Sequence, residues 1–341
     1  MTDPLGAVGT VEEEQDRLFE SVGMNVIVPR YAAMATSMAT LEATATGFCA
    51  APTGDLGPFQ DDWRAAMTAW QAIGVIRFGP VEEANRRLRI QFFPDPNDAV
   101  ITNVTQLLGG AQPIDETLVA GSAVGAQGLP ALEYLLFTLG GLDDPIDGPR
   151  RCDLAVAVTQ NLSTMADELT AAWDMGGQLL ADFVGASGVF TDRAEVLTEI
   201  LESLAVETEF VADEKLTRPI AVGAMSTESF RSATSLANLI ADTAALRAFL
   251  DVGTADTDYG LRDYLRRAHD ADAISDQLDS QLQSAQDGLA ALTASVEDII
   301  MGTQAGDLDV VRVAMQDLAD SFIDAAVAAD VNLGFSNQDG D

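Results

Sequence analysis

Apolar residues recur at helical spacing along almost the whole chain of 341 residues. After His269 they follow one another at intervals of three, four and seven, at Ile274, Leu278, Leu282, Leu289, Leu292, Val296 and Ile299. This spacing places them along one side of a long helix. Convincing runs of alternating apolar and polar residues, the pattern of half-buried strands, do not occur. The sequence therefore predicts an all-α fold.

Clusters of glycine and proline divide the helical pattern into segments. They lie at 51–58, 79–80, 93–97, 140–149, 185–188 and 218–226. About four helical segments precede residue 185 and about four follow it. We therefore expect two four-helix-bundle-like units in tandem, an N-terminal bundle over 1–185 and a C-terminal bundle over 186–341, packed into one two-domain molecule.

The charge of the chain excludes one large class of partners. It has 54 acidic and 18 basic residues, a net charge of −36, and Lys215 is its only lysine. Binding of nucleic acid requires many basic side chains near phosphates, and anionic membrane surfaces attract basic segments, so neither partner is expected. Such a charge attracts cations, and it is also typical of a solvated acidic surface suited to saline surroundings.

The sequence predicts no membrane-spanning segment, because a run of about 18 apolar residues is absent. The first residues, Met-Thr-Asp-Pro-Leu-Gly, have neither the basic start nor the apolar centre of a signal peptide. Either the protein is cytoplasmic or a leader has been removed. Cys49 and Cys152 are the only cysteines; they pair if the protein is exported and otherwise remain two buried thiols.

Two segments have the residue types of a ligand site. In Gly128-Leu-Pro-Ala-Leu-Glu-Tyr-Leu-Leu-Phe137, Pro130 suits the first turn of a helix, and Glu133 would lie in that turn near the positive end of the helix dipole. In Ser226-Thr-Glu-Ser-Phe-Arg-Ser232, Ser226 is a good N-cap and Glu228 would lie in the turn after it. Ser229 and Ser232 would then share a face. Both segments are also explained by ordinary helix capping.

Motifs of several enzyme classes are absent. Neither Gly-x-Ser-x-Gly, a P-loop nor the zincin motif His-Glu-x-x-His occurs. The one histidine, His269, stands in the charged stretch Arg266-Arg-Ala-His-Asp-Ala-Asp272, where we expect an exposed surface residue. A catalytic triad is therefore not predicted.

The Gly128–Phe137 segment resembles the signature segment of the imelysin family, whose better-known form reads Gly-x-His-x-x-Glu. Glu133 matches, but Pro130 stands at the histidine position. Further segments resemble the family in the same order, namely Val28-Pro-Arg-Tyr31, Trp63-x6-Trp70, Arg77-Phe-Gly-Pro80, Phe93-Pro-Asp95, Arg151-Cys152, Lys215-Leu-x-x-Pro219, Glu228-Ser-x-Arg-Ser232 and Phe335 to Asp341. Together they span nearly the whole chain.

The resemblance implies two packed helical bundles whose signature segments converge near the interface between them. It implies export to the periplasm or to the outer membrane, and a role in iron-regulated uptake together with other envelope iron-uptake proteins. Residue by residue, it indicates these ligand-site candidates: Glu133, Arg77, Ser229, Arg231, Ser232 and Asp95. Glu133 is also the candidate metal ligand.

Our interpretation is a non-catalytic binding protein that holds iron, another cation, haem, an iron chelate or a small polar ligand between the two bundles. A metal-dependent peptidase is the first alternative. It is disfavoured because catalytic zinc usually has three protein ligands, and Pro130 supplies none. Carboxylates alone suit Ca²⁺, Mg²⁺ or ferric iron better than zinc. The second alternative is an interaction protein of the cell envelope.

Overall fold

A computed structural model describes residues 5–51, 54–138, 142, 148–253, 258–302 and 305–333. Within these ranges the chain contains helices and turns but no strand, which confirms the all-α prediction. Most of the glycine-rich stretch 140–149 and the C-terminal segment from Phe335 to Asp341 lie outside the described residues.

Nine α-helices make up the described part of the first half of the chain. They are α1 (Val11–Val22), α2 (Val28–Ala50), α3 (Gly57–Gln71), α4 (Arg86–Ile90), α5 (Ala99–Gly109), α6 (Glu116–Ala120), α7 (Leu129–Phe137), α8 (Gly148–Ala172) and α9 (Gln178–Gly185). A π-helical segment, Gly23–Ile27, joins α1 to α2. Short 3₁₀ turns lie at Gly79–Val81, Glu83–Asn85, Pro96–Asp98 and Val124–Ala126.

Seven α-helices follow in the described part of the second half. They are α10 (Arg193–Phe210), α11 (Arg218–Val222), α12 (Ser235–Leu250), α13 (Leu261–His269), α14 (Asp272–Ala291), α15 (Val296–Met301) and α16 (Ala305–Ala328). A second π-helical segment, Val211–Thr217, continues α10 into α11, and a 3₁₀ turn lies at Ala224–Ser226.

The helices pack into two groups that meet along α3 and α12. In the first group α2 lies between α3 and α8, and α7 packs on both α3 and α8. In the second group α16 packs on α10 and α14, and α12 packs on α14. Helix α1 precedes the first group in sequence but contacts α10 and α13 of the second. The division at residue 185 stays a prediction.

The seven-residue spacing of Trp63, Trp70 and Arg77 predicts that all three side chains share one face of a single helix. Trp63 and Trp70 are both buried on α3. The helix ends at Gln71, however, so Arg77 does not lie on that face and this prediction is wrong. A turn at Gly74 replaces the next helical turn, and a Cβ atom at Gly74 would lie 2.9 Å from Oε1 of Glu207. A side chain here would have to displace the end of the Glu207 side chain, whereas glycine leaves the chain close to that carboxylate.

Cys49 of α2 and Cys152 of α8 form a disulfide with a Cα–Cα distance of 5.4 Å. The bond cross-links two helices that are already packed together in the first group. Of the two alternatives that the sequence left open, the structure therefore has the paired cysteines. In the described residues, no helix has both the length and the apolar character that crossing a bilayer would require.

Candidate functional site

The start of α7 is fixed by a close approach between two segments of backbone. A Cβ atom at Gly128 would lie 2.2 Å from the carbonyl oxygen of Ile90, so this position requires glycine. Trp63 of α3 donates a hydrogen bond from Nε1 to the carbonyl oxygen of Leu129 at 2.9 Å. Pro130 occupies the second helical position, where a missing N–H costs no helical hydrogen bond.

Glu133 lies one position beyond the first turn of α7, not within it as predicted. Because Gly128 is the N-cap residue, the first turn consists of the four residues from Leu129 to Leu132. The side chain is buried, with 3% of its surface exposed. It is therefore held by specific hydrogen bonds rather than by the helix dipole alone.

The donors to Glu133 come from the second helical group. Ser232 donates to Glu133 Oε1 from its backbone nitrogen at 2.9 Å and from its hydroxyl at 2.8 Å. Arg231 approaches the other oxygen, with Nη1 3.9 Å from Oε2. Burial raises the pKa of Glu133, and the Ser232 hydrogen bonds and the charge of Arg231 only partly offset that rise.

The Ser226–Ser232 segment does not begin a helix, so this prediction is wrong. It forms consecutive turns in which Ser229 and Ala233 have positive φ, and α12 starts only at Ser235. The Ser232 hydroxyl oxygen lies 3.0 Å from the carbonyl oxygen of Ser229 and 2.8 Å from Glu133 Oε1, so these two acceptors share its one proton. Side-chain hydrogen bonds thus take the place of the backbone bonds that a helix would have supplied.

Three stretches of chain enclose a small polar pocket between the two helical groups, which we call the interface pocket. They are the loop 91–98, the start of α7 and the turn 225–231. The pocket has a volume of about 100 Å³, enough for a few water molecules or one small chemical group. Four of the predicted site residues line it, namely Asp95, Glu133, Ser229 and Arg231.

Asp95 mainly orders the loop that forms one wall of the pocket. Its carboxylate accepts hydrogen bonds from the backbone nitrogens of Ala99 at 2.8 Å and Val100 at 3.3 Å, at the start of α5. Burial raises its pKa, and these two hydrogen bonds counter that effect.

Glu228 forms the floor of the pocket and has donors on both carboxylate oxygens. Oε1 accepts from Gln91 at 2.7 Å and from Gln71 at 3.2 Å, and it lies 3.1 Å from the ammonium group of Lys215. Oε2 accepts from Asn238 at 2.8 Å. Four side chains from both helical groups therefore neutralise and orient this one buried carboxylate.

Arg77 lies in a neighbouring pocket of about 110 Å³, not in the interface pocket. Gln91 and Phe93 line both pockets and separate them. Arg77 donates to Glu207 Oε2 from Nε at 2.9 Å and from Nη2 at 2.7 Å. Burial raises the pKa of Glu207, but the charges of Arg77 and its basic neighbours outweigh this effect, and the pKa is lowered.

Arg87 brings a second guanidinium to the same carboxylate. Its Nη2 lies 3.6 Å from Glu207 Oε2 and donates to the carbonyl oxygen of Gly74 at 2.9 Å. Burial, followed by the nearby charge of Arg77, lowers the pKa of Arg87 to about 10. Arg77 and Arg87 together with Glu207 thus join the two helical groups by a buried ionic contact.

Lys215 connects the two pockets. Its ammonium group contacts Asp242 at 2.8 Å, Gln71 at 2.8 Å and Glu228 at 3.1 Å. Burial lowers its pKa, but the charges of Asp242 and Glu228 outweigh this effect and raise it. Burial raises the pKa of Asp242 well above its ordinary value, despite the charge of Lys215.

Sequence reasoning missed these inner residues as site residues. Lys215 carried the one available signal, since it is the only lysine in a chain with 54 acidic residues. Gln71 and Gln91 carried none, because a single glutamine has no distinctive sequence context.

His269, expected at the exposed surface, is half-buried on α13 with Nε2 2.9 Å from the hydroxyl oxygen of Tyr264.

The residues around Glu133 do not fit a resident transition-metal ion. Ser232 supplies two donors to one oxygen of Glu133, and a guanidinium lies beside the other. Among the residues that the structure describes, His, Cys, Asp and Glu side chains form no group of three suited to a metal. Glu133 as a metal ligand stays a prediction of the sequence, and the surrounding donors do not favour it.

The sequence model of the imelysin family, peptidase M75, matches residues 27–324. This protein belongs to the imelysin family. The match covers every element that lines the two pockets, from the C-terminal part of α3 to the turn at 225–231. A search of curated proteins gives no match.

Two solved structures share the fold. An imelysin-like protein from Psychrobacter arcticum 273-4 superposes with a TM-score of 0.79 at 20% identity, covering 96% of this chain and 99% of that one. An iron-regulated protein A precursor from Parabacteroides distasonis ATCC 8503 also gives a TM-score of 0.79, at 16% identity, covering 95% of this chain and 96% of that one. At these identities the likeness concerns the fold.

Proposed function

We propose that this imelysin-family protein is a non-catalytic binding protein of a bacterial iron-linked process. The ligand is a small polar molecule, with an iron chelate as the favoured class, and one of its polar groups occupies the interface pocket, whose volume is about 100 Å³. One observation carries the proposal: donors from the protein itself hold both oxygens of Glu228 and Oε1 of Glu133, and the guanidinium of Arg231 faces the remaining oxygen, Oε2 of Glu133. A general base or a metal ligand would need a carboxylate oxygen without such donors and without a cation beside it.

Two further observations support an exported, iron-linked role. Disulfides such as Cys49–Cys152 persist mainly in oxidising compartments such as the periplasm. The name of the Parabacteroides structure describes that protein as iron-regulated and as a precursor. We extend both properties to this chain as part of the proposal, so that iron would reach the pocket as cargo within a chelate.

Calorimetric titration tests the binding function. The probes are ferric citrate, metal-free citrate, haem and ferric ion alone, each added to the disulfide-bonded protein. We expect saturable binding of at least one chelate. Ser226→Trp, which puts a large side chain into the pocket wall, should abolish it, whereas Ser280→Trp on the exposed face of α14 should not. Absence of binding by all four probes would refute the proposal.

The peptidase alternative makes a different prediction. It requires a stoichiometric metal in protein purified without chelators, and peptide cleavage that Glu133→Ala abolishes. Metal analysis and a cleavage assay on the same preparation would establish both. A positive result in both would replace the binding proposal.

A further inference from the structure

Arg231 is the one charged group of the interface pocket that has no close hydrogen-bond partner in the described part of the chain, and a ligand could supply one. Its side chain is 10% exposed and lines the pocket. The guanidinium lies over the ring of Phe230, 4.3 Å from the ring centroid, and 5.7 Å from that of Tyr134. Within the described part of the chain it donates no hydrogen bond, and its ionic contact with Glu133 Oε2 is long, at 3.9 Å.

The other buried or half-buried charges of the pocket already have close partners. Glu133 accepts two hydrogen bonds from Ser232, and Asp95 accepts from the first backbone nitrogens of α5. Arg218, the second arginine at the pocket, donates to Glu214 at 3.1 Å. Arg231 is therefore the group with donors to offer.

The Arg231 guanidinium is shielded from most of the surrounding water, and the described part of the chain gives it no hydrogen-bond acceptor. It has five N–H donors, and taking a charged group out of water without replacing its hydrogen bonds costs free energy. The aromatic contacts offset part of this cost and hold the plane of the group in place. A ligand that accepts hydrogen bonds from Arg231 offsets the rest of this free-energy cost. The two-oxygen edge of a carboxylate is the acceptor geometry best matched to a guanidinium.

We infer that the interface pocket recognises its ligand through a carboxylate-type oxyanion bound by Arg231. This inference rests on the proposed binding function and names the chemical group recognised. The oxyanion can belong to a free carboxylate or to a carboxylate chelate of iron, and both present the same oxygens.

The acidic neighbours of Arg231 limit the negative charge that a bound anion can have. Glu133 lies 3.9 Å from Arg231, the charge of Arg231 also acts on Asp95, and Glu228 forms the floor. Glu228 is compensated by Lys215. An anion of low negative charge is thus favoured over a highly charged free anion. A chelate whose metal ion offsets the charge of its carboxylates is favoured for the same reason.

The experiment measures binding of acetate, citrate and ferric citrate against their uncharged counterparts, acetamide and triethyl citrate. Calorimetry or ligand-observed NMR on the disulfide-bonded protein gives the affinities. We expect a carboxylate or its chelate to bind and the uncharged counterpart not to bind. Arg231→Gln should weaken binding at least about tenfold, as expected for loss of a charge-assisted pair of hydrogen bonds. Arg231→Lys should be intermediate.

Arg312→Gln is the matched control, because Arg312 lies on α16 outside the interface pocket and is paired with Asp309. We expect its affinity to stay within about twofold of the wild type, an amount typical of a partly exposed ion pair. Circular dichroism confirms that each variant is folded. Arg231→Lys keeps the test decisive if Arg231→Gln does not fold.

The outcomes separate this inference from the proposed function. If a ligand binds, Ser226→Trp abolishes binding and Arg231→Gln leaves it unchanged, the pocket is functional but its recognition by Arg231 is refuted. Equal binding of triethyl citrate and citrate refutes the oxyanion requirement in the same way. If none of the probes binds to the wild type, the proposed function fails and this inference fails with it.

Discussion

Glu133 is the residue at which burial and hydrogen bonding oppose each other most directly. The ionised carboxylate accepts two hydrogen bonds from Ser232 and lies near Arg231, and all three contacts favour the charged form. Burial favours the neutral form and is the largest effect, so the pKa is raised. The nearby charge of Glu228 adds to the rise. The folded protein therefore holds this proton at a pH where an unfolded chain has lost it.

We expect Glu133 to make the protein less stable as pH rises above 4.5, its ordinary pKa. In that range the folded state binds more protons at this position than the unfolded state, so the free energy of unfolding falls with increasing pH until the raised pKa is passed. Glu133→Gln cannot titrate. The difference in unfolding free energy, wild type minus variant, should therefore decrease as the pH of the urea titrations rises above 4.5, and it should level off once the raised pKa of Glu133 is passed.

Ser280→Ala, on the exposed face of α14, supplies the control for this pH profile, because it removes no titratable group. The corresponding difference for Ser280→Ala should not change with pH. A difference for Glu133→Gln that is flat, or that grows with pH, would contradict the prediction.

For single residues, the sequence predicted which side chains lie at the pocket better than it predicted what those side chains contact. Asp95, Glu133, Ser229 and Arg231 do line one pocket, and Ser232 holds Glu133. The family pattern could select them because their order along the chain is visible. Their partners were not visible, since contacts such as Ser232 to Glu133 join residues 99 apart in the sequence.

The structure of the turn 228–233 cannot be predicted from the residues of that segment alone. Ser226 and the residues after it have the composition of a helix start, and local propensity alone would begin a helix there. Glu133 and Asn238 instead provide hydrogen-bond partners for Ser232 and Glu228 from outside the segment. Tertiary contacts thus outweigh the local preference for a helix. The explanation requires the position of α7, because α7 carries Glu133.

The π-helical segment Val211–Thr217 places Lys215 between two acidic side chains. Lys215→Met should destabilise the protein by about 3–5 kcal/mol, because removing one partner of a buried ion pair leaves the other charge uncompensated. Urea unfolding monitored by circular dichroism measures the loss. The additional substitution Asp242→Asn should recover part of it, since it removes one of the two carboxylates left without a partner.

Arg218→Met provides the comparison for Lys215. Arg218 pairs with Glu214 one turn earlier, and both side chains are 34% exposed. Exposed pairs of this spacing contribute about 0.3–0.5 kcal/mol, so the loss should be correspondingly small. Similar losses for Lys215→Met and Arg218→Met would show that the buried contacts of Lys215 do not stabilise the fold.

The whole molecule combines a strongly acidic chain with inward-facing basic groups. Arg77, Arg87, Arg231 and Lys215 are largely buried at the junction of the two helical groups. They therefore neutralise buried carboxylates rather than the acidic residues of the surface. Composition predicted the net charge, but it could not predict that these cations face inward, because that depends on which helices pack together.

The net charge of −36 leads us to expect that salt stabilises the folded protein. Mutual repulsion of like charges opposes the compact state, and added ions shorten its range from about 30 Å at 0.01 M to about 3 Å at 1 M. Surface ion pairs weaken as well, but 54 acidic residues face only 18 basic ones, so repulsion is the larger effect. The melting temperature should therefore rise by several degrees as NaCl increases. Choline chloride should produce the same rise if screening is the cause, whereas a rise with NaCl alone would indicate a bound small cation. A melting temperature that stays constant or falls in both salts would contradict the prediction.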